Sequence, residues 1–305
     1  MEKIPVINYE GSDYQESFWD RGGRAYEDAA EALALRRLMP PGGQRLLELG
    51  AGAGRNTPRY HGFRQIVLLD YSRTQLQQAR QRLGETGPDG ARLTYVAADI
   101  YHLPFVNGLF DAATMIRTLH HMVDPRRALG EVRQTLSSGA TFILEYANKQ
   151  NLKSILRYTF RRQGWSPFSP EPVEFVPLNF DFHPATIRAW LQATGFVVER
   201  QLTVSHFRVG WLKRLVPLGI LARADGLASL TGDLWQLTPS VFVRSQARPL
   251  AETAQRLEEG FFRCPACGHA PLEDTPPELV CPACGKRYPI VDGIYDLRAE
   301  PPAQD

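Results

Sequence analysis

The stretch that decides the fold is Leu47-Glu48-Leu49-Gly50-Ala51-Gly52-Ala53-Gly54, which closes the apolar run that begins at Arg45. A short apolar run that breaks into closely spaced glycines predicts a strand followed by a tight turn. Glycine in such a turn lets the backbone bend sharply and lets a ligand approach without a Cβ in the way. The N–H groups at the start of the next helix would favour a carboxylate or a phosphate. A tight turn without a ligand is the alternative interpretation.

Strand-like and helix-like segments alternate on both sides of this glycine loop. The helical patterns cover residues 23–39, residues 72–84 and a stretch that begins at Asp124. Ser72 with Gln75 predicts a capping box, and Asp124-Pro125 predicts an N-cap and a first turn. The strand-like runs cover residues 65–69, 93–97, 110–116 and 141–146. This alternation predicts βαβ units and a parallel sheet with helices on both faces.

The pattern is less regular after residue 147. His183-Pro184 predicts the start of a helix that ends near Gly195. The runs 197–204 and 240–243 predict two paired strands that close one edge of the sheet. Residues 245–260 are polar and helix-prone, which predicts a linker.

The composition excludes several classes of protein. Of 305 residues, 43% are hydrophobic and 22% are charged, which argues against a disordered chain, a collagen-like chain or a membrane bundle. Lys plus Arg is 35 and Asp plus Glu is 33, so there is no overall attraction to nucleic acid. No apolar run is long enough to span a bilayer, and MEKIPVINYEG lacks the features of a secretory signal. These features predict a cytoplasmic location.

Acidic residues stand where a nucleotide-type cofactor would need them. Glu48 precedes the glycine loop, Asp70 ends the next strand-like run, and Asp99 ends the one after it. An acid at the position of Asp70 can bind both hydroxyls of a ribose. A dinucleotide-binding loop would have a third glycine where this chain has Arg55, which argues against an NAD-dependent oxidoreductase.

These motifs resemble the class I S-adenosylmethionine-dependent methyltransferases, of the methyltransferase type 11 kind. The residues that carry the resemblance are 47–54, Leu69-Asp70, Ala98-Asp99-Ile100, Phe110-Asp111 and Leu119-His120-His121. It runs through residues 23–147 and extends less closely to about residue 244. It implies an α/β fold with a Rossmann-like, doubly wound, seven-stranded sheet, and an enzyme that uses S-adenosyl-L-methionine.

The resemblance also implies roles for individual residues. Glu48 and the loop residues Gly50, Ala51, Gly52 and Gly54 would bracket the methionine part of the cofactor. Asp70 would bind the ribose hydroxyls, and Tyr71 would flank the adenine. Asp99 would accept a hydrogen bond from the adenine amino group, and Ile100 would pack on the ring. Each acid alone could be a solvated residue at a loop end, but three at successive strand ends argue against that.

The candidates for a general base are His120, His121 and His183. A base is needed only where the nucleophile must lose a proton, because the cofactor already carries its leaving group. A structural or cofactor-side role is the alternative for His120 and His121, and a helix cap is the alternative for His183. After the fourth strand the chain reads Ile116-Arg117-Thr118-Leu119. The resemblance then disfavours methylation of amides or of adenine amines, whose enzymes carry an Asn/Asp-Pro-Pro-aromatic run there.

Two further stretches have more than one interpretation. Lys149, Lys153, Arg157 and Arg161 recur at four-residue steps, so a helix would carry them as one positive stripe. That stripe would suit phosphate or anionic lipid, and a solvated helix face is the alternative. The mostly apolar segment 211–230 carries a few basic residues. It is interpreted as a cap over the site, with a membrane-surface helix as the alternative.

All four cysteines lie in one short C-terminal segment. Cys264, Cys267, Cys281 and Cys284 form two CxxC pairs, a spacing that predicts a closed tetrahedral metal site with a structural Zn²⁺. Iron is the alternative metal. The segment 288–294 reads YPIVDGI, which resembles the zinc ribbon found fused to, or partnering, some methyltransferases of RNA and translation factors. We therefore divide the chain into a methyltransferase domain at 1–244, a linker at 245–260 and a zinc ribbon at 261–300.

The sequence predicts a methyltransferase whose acceptor is unidentified. A small molecule or an isoprenoid-type compound is favoured by the near-neutral charge and by the resemblance to quinone-biosynthesis enzymes. The zinc ribbon and the basic stripe favour the alternative, an RNA or a translation factor. A non-enzymatic binding module that keeps the cofactor fold is the third interpretation.

Overall fold

An eleven-stranded sheet organises the protein, whose computed structural model describes residues 5, 10–12, 23–249 and 260–298. The strands are β1 Gly43–Leu49, β2 Phe63–Asp70, β3 Arg92–Ala97, β4 Phe110–Met115, β5 Leu136–Ala147, β6 Val173–Val176, β7 Asn179–Asp181, β8 Phe196–Val204, β9 Ser240–Ala247, β10 Glu273–Thr275, β11 Glu278–Val280, β12 Arg287–Val291 and β13 Ile294–Asp296. The helices are α1 Ala25–Leu38, α2 Arg73–Leu83, α3 Pro125–Thr135, α4 Leu152–Thr159, α5 Pro184–Ala193, α6 Gly210–Leu215 and α7 Leu218–Ala228.

The centre of the sheet is parallel, as the sequence predicts. The order is β10-β11-β12-β13-β3-β2-β1-β4-β5-β9-β8, and β3, β2, β1, β4 and β5 run in one direction. Strand β9 lies antiparallel between β5 and β8, so the predicted pairing of the last two strands is confirmed. Strands β6 and β7 form a separate two-stranded sheet.

Helices cover both faces of the sheet. On one face the core takes in Leu129 from α3 and Leu191 from α5. On the other face it takes in Leu35 from α1 and Leu76 from α2. Apolar residues of the central strands feed both layers, as expected for parallel strands that are buried on both sides. The doubly wound architecture is therefore confirmed.

Local signals in the sequence fix where two of these helices begin. The Ser72 hydroxyl accepts a hydrogen bond from the N–H of Gln75 at 3.2 Å, and the Asp124 carboxylate accepts one from the N–H of Arg127 at 3.0 Å. Each side chain satisfies an N–H that the first helical turn leaves unpaired. Both predicted caps are present.

The C-terminal strands continue the main sheet. Strand β13 pairs in parallel with β3, with Ile294 opposite Tyr95 and Asp296 opposite Ala97. Phe262 packs against Phe105, with ring centroids 6.1 Å apart. The pairing covers the edge of β3, whose N–H and C=O groups would otherwise lie open.

The predicted linker is described only in part. Strand β9 runs to Ala247, so residues 245–247 belong to the sheet. Residues 250–259 lie outside the described part of the chain. Among the described helices, none is both long enough and apolar enough to cross a membrane.

Candidate cofactor and metal sites

The glycine loop after β1 adopts backbone conformations that favour glycine. Gly50, Gly52 and Gly54 have φ values of 65°, 53° and 72°. A Cβ on Gly50 would lie 2.1 Å from Thr118 Oγ1, whereas a Cβ on Gly52 would meet nothing closer than 3.8 Å. Gly50 is therefore required by packing, while Gly52 leaves open space beside the loop for a ligand.

Asp70 joins this loop to the next helix. Its carboxylate accepts hydrogen bonds from the N–H of Gly52 at 2.8 Å and from the N–H of Ser72 at 2.9 Å. Burial raises the pKa of Asp70 above its ordinary value, against the effect of these two backbone donors. The structure therefore brings together the glycine loop and the acid that the sequence assigned to one site.

Glu48 lies beneath the loop and is held from within the protein. Its carboxylate accepts hydrogen bonds from the Thr57 hydroxyl at 2.6 Å and the Tyr60 hydroxyl at 3.3 Å. Burial raises the pKa of Glu48 to about 7, although the two hydroxyls oppose this shift. Glu48 therefore keeps its proton to a higher pH than an exposed glutamate does.

The residues predicted to surround an adenine lie at the ends of β2 and β3. The Asp99 carboxylate accepts a hydrogen bond from the N–H of Tyr101 at 2.9 Å and keeps about a fifth of its side chain exposed. Ile100 is buried. Tyr71 is partly buried, and the guanidinium of Arg298 lies 5.9 Å from the centroid of its ring.

A buried ionic cluster adjoins the loop and was not found from the sequence. The Glu31 carboxylate on α1 is fully buried and accepts hydrogen bonds from Arg55 Nη2 at 2.7 Å and from Arg117 Nε at 2.7 Å. Burial alone would raise the pKa of Glu31, but the two guanidinium groups hold it below its ordinary value. Arg117 also donates its backbone N–H to Glu145 at 2.9 Å. The sequence singled out Arg55 only as a departure from a dinucleotide loop, and no local pattern pairs it with Glu31.

His120 and His121 lie together in a short 3₁₀ turn after β4. Their ring centroids are 3.9 Å apart, and His121 Nδ1 lies 3.3 Å from the carbonyl oxygen of Leu178. Burial lowers the pKa of both imidazoles, and that of His120 falls well below its ordinary value. Both rings are therefore neutral at pH 7. A carbonyl oxygen only accepts, so the proton of His121 stands on Nδ1 and its Nε2 is the basic atom.

His183 has the capping role that the sequence offered as its alternative. Its Nδ1 accepts a hydrogen bond from the N–H of Ala185 at 3.2 Å, at the start of α5. The proton of the neutral ring is then on Nε2, which is buried and has no hydrogen-bond partner among the described residues. The Nδ1 atom is committed to the helix.

The predicted basic stripe is present only in part, and the expectation for Lys149 is wrong. Lys149 precedes α4 and is fully buried, and its ammonium group donates to Ser169 Oγ at 2.9 Å and to the Glu171 carbonyl at 2.6 Å. Lys153 and Arg157 lie on α4 and are exposed, while Arg161 follows the end of the helix. A four-residue period cannot reveal that the helix begins after Lys149.

The four cysteines converge on one point in space. Their sulfur atoms all lie within 4.8 Å of one another, and Cys264 Sγ is 3.7 Å from Cys284 Sγ. A tetrahedral Zn²⁺ with Zn–S bonds of about 2.3 Å sets its sulfurs about 3.8 Å apart. The donor set and its spacing therefore fit a structural zinc ion. The Tyr288 hydroxyl lies 3.1 Å from Cys264 Sγ and completes the surroundings of that sulfur.

Two parts of the chain match known protein families. Residues 47–144 match the family model described as a methyltransferase domain. Residues 261–293 match the model described as a Trm112p-like protein. The chain carries a methyltransferase domain and a Trm112p-like domain. The first match contains the glycine loop with Asp70 and Asp99, and the second contains the four cysteines.

Relatives of the methyltransferase domain include an O-methyltransferase and a demethylmenaquinone methyltransferase. An O-methyltransferase of Penicillium expansum is 34% identical over 110 residues, which are 35% of this chain and 40% of that protein. A demethylmenaquinone methyltransferase of Clavibacter sepedonicus is 29% identical over 181 residues, which are 55% of this chain and 72% of that protein. The chain thus spans less than half the length of the Penicillium enzyme that it matches.

Solved structures confirm the fold of the methyltransferase domain. A complex of the Haloferax volcanii Trm112 methyltransferase activator with a candidate methyltransferase has a chain that superposes with a TM-score of 0.51 and 18% identity. The superposition covers 77% of this chain and 95% of that chain. At this identity the likeness is one of fold, and it supports the class I methyltransferase architecture.

The raised pKa of Glu48 predicts how the stability of the methyltransferase domain depends on pH. Between its ordinary pKa of 4.5 and about 7, the folded state keeps a proton on Glu48 that the unfolded chain releases. The free energy of unfolding should therefore fall as pH rises through this window, by on the order of 3 kcal/mol. Glu48→Gln cannot ionise, so it should lose this part of the pH dependence in urea unfolding at about pH 5 and about pH 8.

Glu85→Gln is the matched control for Glu48→Gln. The Glu85 side chain is 77% exposed, so its substitution should leave the difference between the two pH values unchanged. A Glu48→Gln variant with the parental pH dependence would show that Glu48 ionises normally in the folded protein.

Proposed function

We propose that the protein transfers the methyl group of S-adenosyl-L-methionine to a small molecule or an isoprenoid-type compound. The observation that carries this proposal is the pair of hydrogen bonds from Gly52 and Ser72 to Asp70. They set an acidic side chain beside an open glycine loop, inside a matched methyltransferase domain. A carboxylate beside an open glycine loop suits a ligand that carries a ribose with two hydroxyls.

The residues present fit S-adenosyl-L-methionine. Gly52 leaves open space where a Cβ would stand, so the methionine part can lie against the loop formed by Gly50, Ala51, Gly52 and Gly54. Asp70 is assigned to the ribose hydroxyls and Tyr71 to one side of the adenine. Asp99 is assigned to the adenine amino group, with Ile100 beneath the ring. Glu48, held by Thr57 and Tyr60, supports the loop and remains part of the assigned site.

Methyl transfer requires no covalent bond between the protein and either substrate. The bound cofactor supplies an electrophilic methyl group on a sulfonium, so the chain must align the acceptor and exclude water. The ionic cluster of Glu31, Arg55 and Arg117 fixes Arg55, the residue that directly follows the loop, against α1. Where the acceptor must lose a proton, His121 is the proposed base, because its ring is held at Nδ1 by the Leu178 carbonyl and is neutral. His120 supports that ring by direct contact, and His183 is assigned to the helix cap.

The acceptor class is inferred from relatives and from charge. One relative described above is named for demethylmenaquinone, a small molecule, and the other is named only as an O-methyltransferase. The net charge of +2 offers no general attraction to RNA. The alternative is an RNA or a translation factor, supported by the Trm112p-like domain and by the fold likeness to a Trm112 complex. A binding module without activity is the third candidate, and the complete set of acids opposes it.

The Trm112p-like domain is assigned a structural metal. Cys264, Cys267, Cys281 and Cys284 would hold Zn²⁺ with no open coordination position, and the same thiolates could hold iron. Free thiols at this spacing suit a reducing compartment, which supports a cytoplasmic location. The division into a methyltransferase domain, a linker and a zinc ribbon at 261–300 is part of this proposal, with the end of the first domain moved from residue 244 to Ala247, where β9 ends.

The assignment of Asp70 is tested by cofactor affinity. Asp70→Ala removes the acceptor for the ribose hydroxyls and frees the loop, so calorimetry should show S-adenosyl-L-methionine binding at least about tenfold more weakly. Asp89→Ala is the control, because Asp89 is an exposed acid that accepts from the N–H of Gly62 outside the site. Unchanged affinity in a folded Asp70→Ala protein would refute the cofactor assignment.

The acceptor class is tested with labelled cofactor. The purified protein is incubated with S-adenosyl-L-methionine carrying a tritiated methyl group and with extract of its source, and label is counted in RNA, protein, organic-soluble and polar fractions. The proposal expects label in the organic-soluble or small polar fractions, and none with the Asp70→Ala variant. Label in RNA or protein would favour the alternative acceptor instead.

The metal is expected to affect cofactor binding through Arg298. The Arg298 guanidinium donates to the Tyr71 carbonyl at 3.3 Å and pairs with Asp296 at 2.8 Å. Loss of the metal should loosen this pair and weaken S-adenosyl-L-methionine binding severalfold. Metal analysis of the purified protein and of Cys281→Ser, combined with calorimetry of both, measures the effect and identifies zinc or iron.

Arg298→Ala separates this contact from the folding of the Trm112p-like domain. It should keep the metal and still weaken cofactor binding, whereas Arg287→Ala, an exposed change on β12, should alter neither. Parental affinity in a metal-free protein and in Arg298→Ala would show that the two sites are independent.

A further inference from the structure

The exposed large hydrophobic side chains are concentrated in one part of the chain. Of nineteen among the described residues, eighteen lie between residues 152 and 237. Most belong to α4, to α6, to α7 and to the segment that follows α7. These are Leu152, Leu156, Tyr158, Phe160, Trp211, Leu215, Leu218, Ile220, Leu227, Leu230, Leu234, Trp235 and Leu237, here named the apolar surface. An exposed patch of this size marks an interaction site.

The sheet brings these segments together where β5 and β8 end and β9 begins. Strand β5 ends at Ala147 and β8 ends at Val204, and both residues are opposite Ser240, where β9 begins. Helix α4 follows β5, while α6 and α7 occupy the connection from β8 to β9. The N–H of Leu152 donates to the carbonyl oxygen of Leu237 at 2.8 Å. The apolar surface therefore spans adjoining segments at the carboxyl ends of β5 and β8.

Two of its helices bury a polar side chain and leave large apolar side chains exposed. In α7 the Asp225 carboxylate is buried and accepts a hydrogen bond from the Tyr26 hydroxyl at 2.8 Å, while Ile220 is 59% and Leu227 is 70% exposed. In α4 the one buried residue is Ser154. Helix α7 also buries Leu221 and Ala222, so its apolar residues occupy both sides, whereas a surface helix of a water-soluble protein normally keeps its large apolar residues on the core side.

The charges around the apolar surface identify what covers it. Residues 152–162 contain Lys153, Arg157, Arg161 and Arg162 and no acid, and these four are exposed. On α6, α7 and the segment after α7, the exposed Arg214 and Arg223 accompany two acids. Asp225 is buried, and Asp233 is exposed and accepts a hydrogen bond from the N–H of Gln201. Exposed Trp and Leu beside exposed Lys and Arg are typical of helices that lie in the interface of an anionic membrane.

We propose that the apolar surface docks on an anionic lipid bilayer. Trp211, Leu215 and Leu227 enter the boundary between headgroups and acyl chains, and Lys153 and Arg157 meet lipid phosphates. The packed cap that the sequence favoured for residues 211–230 describes only the inner side, where Leu221, Ala222 and Asp225 are buried. The outer side of the same segment is the docking face.

Docking would place the carboxyl ends of β4 and β5, where we expect the methyl acceptor to bind, against the lipid. His120 and His121 follow the carboxyl end of β4. Strand β5 is the parallel neighbour of β4, so its carboxyl end lies on the same side of the sheet. In that orientation an apolar acceptor could be reached from the bilayer without crossing water. This consequence rests on the proposed function, whereas the docking itself does not.

Vesicle flotation with the full chain tests the docking. We expect the protein to float with vesicles of equimolar phosphatidylcholine and phosphatidylglycerol, to float far less with phosphatidylcholine alone, and to be released by added salt. The double variant Leu215→Ser/Leu227→Ser should bind the anionic vesicles about tenfold more weakly or worse. The double variant Lys153→Gln/Arg157→Gln should also bind more weakly, and its loss of binding should grow with the fraction of phosphatidylglycerol in the vesicles. The matched controls are Val123→Ser and Arg36→Gln, which change exposed residues elsewhere and should float like the parent.

Each other outcome would overturn the proposal. Absence of flotation with anionic vesicles, or equal flotation of the parent and of folded Leu215→Ser/Leu227→Ser, would exclude a lipid surface as the occupant. Self-association in vesicle-free buffer that the same double variant abolishes would assign the surface to a second copy of the chain. Circular dichroism and S-adenosyl-L-methionine calorimetry on each variant separate a failure of docking from a failure of the fold or of the proposed function.

Discussion

The candidate cofactor site depends on the way that Asp70 holds the glycine loop. One carboxylate receives the N–H of Gly52 and the N–H of Ser72, so it joins the turn after β1 to the helix after β2. Gly52 has a positive φ of 53°, which residues with a Cβ rarely adopt. The hydrogen bond stabilises that conformation, and Thr118 packs so closely on Gly50 that no side chain fits there. The open side of the loop therefore depends on the glycines of the loop and also on Asp70 and Thr118, which hold the loop in place.

The edge of β3 is the second constraint on the fold. A bare edge strand would offer unpaired N–H and C=O groups to other chains. Strand β13 covers it, and the N–H of Leu297 continues the pairing with the carbonyl of Ala97 at 2.8 Å. The Trm112p-like domain is thus built into the sheet that carries the glycine loop. Arg298 is the next residue in the chain, and its guanidinium donates to the carbonyl oxygen of Tyr71. This contact links the domain that contains the four cysteines to the end of β2, beside the glycine loop.

The sequence predicted the features that depend on local signals. The glycine loop, the caps at Ser72 and Asp124, the parallel centre of the sheet and the convergence of four cysteines each follow from residues close together in the chain. The helix cap at His183 was foreseen as an alternative, because Pro184 fixes a first helical turn. Features that depend on distant partners were missed. Glu31 and Arg117 are far apart in sequence, and no periodicity reveals that they share a hydrogen bond.

Periodicity also cannot distinguish an inward from an outward apolar face. Helices α4 and α7 have apolar residues at helical spacing, which in most proteins identifies the side that packs on the core. Here a buried polar residue marks the core side of each of the two helices. Ser154 is the buried residue of α4, and Asp225 receives hydrogen bonds from the Tyr26 hydroxyl and the backbone N–H of His206. Because a buried carboxylate needs such donors, Asp225 fixes the inner side of α7 together with the buried Leu221, while Leu218 and Leu227 are exposed.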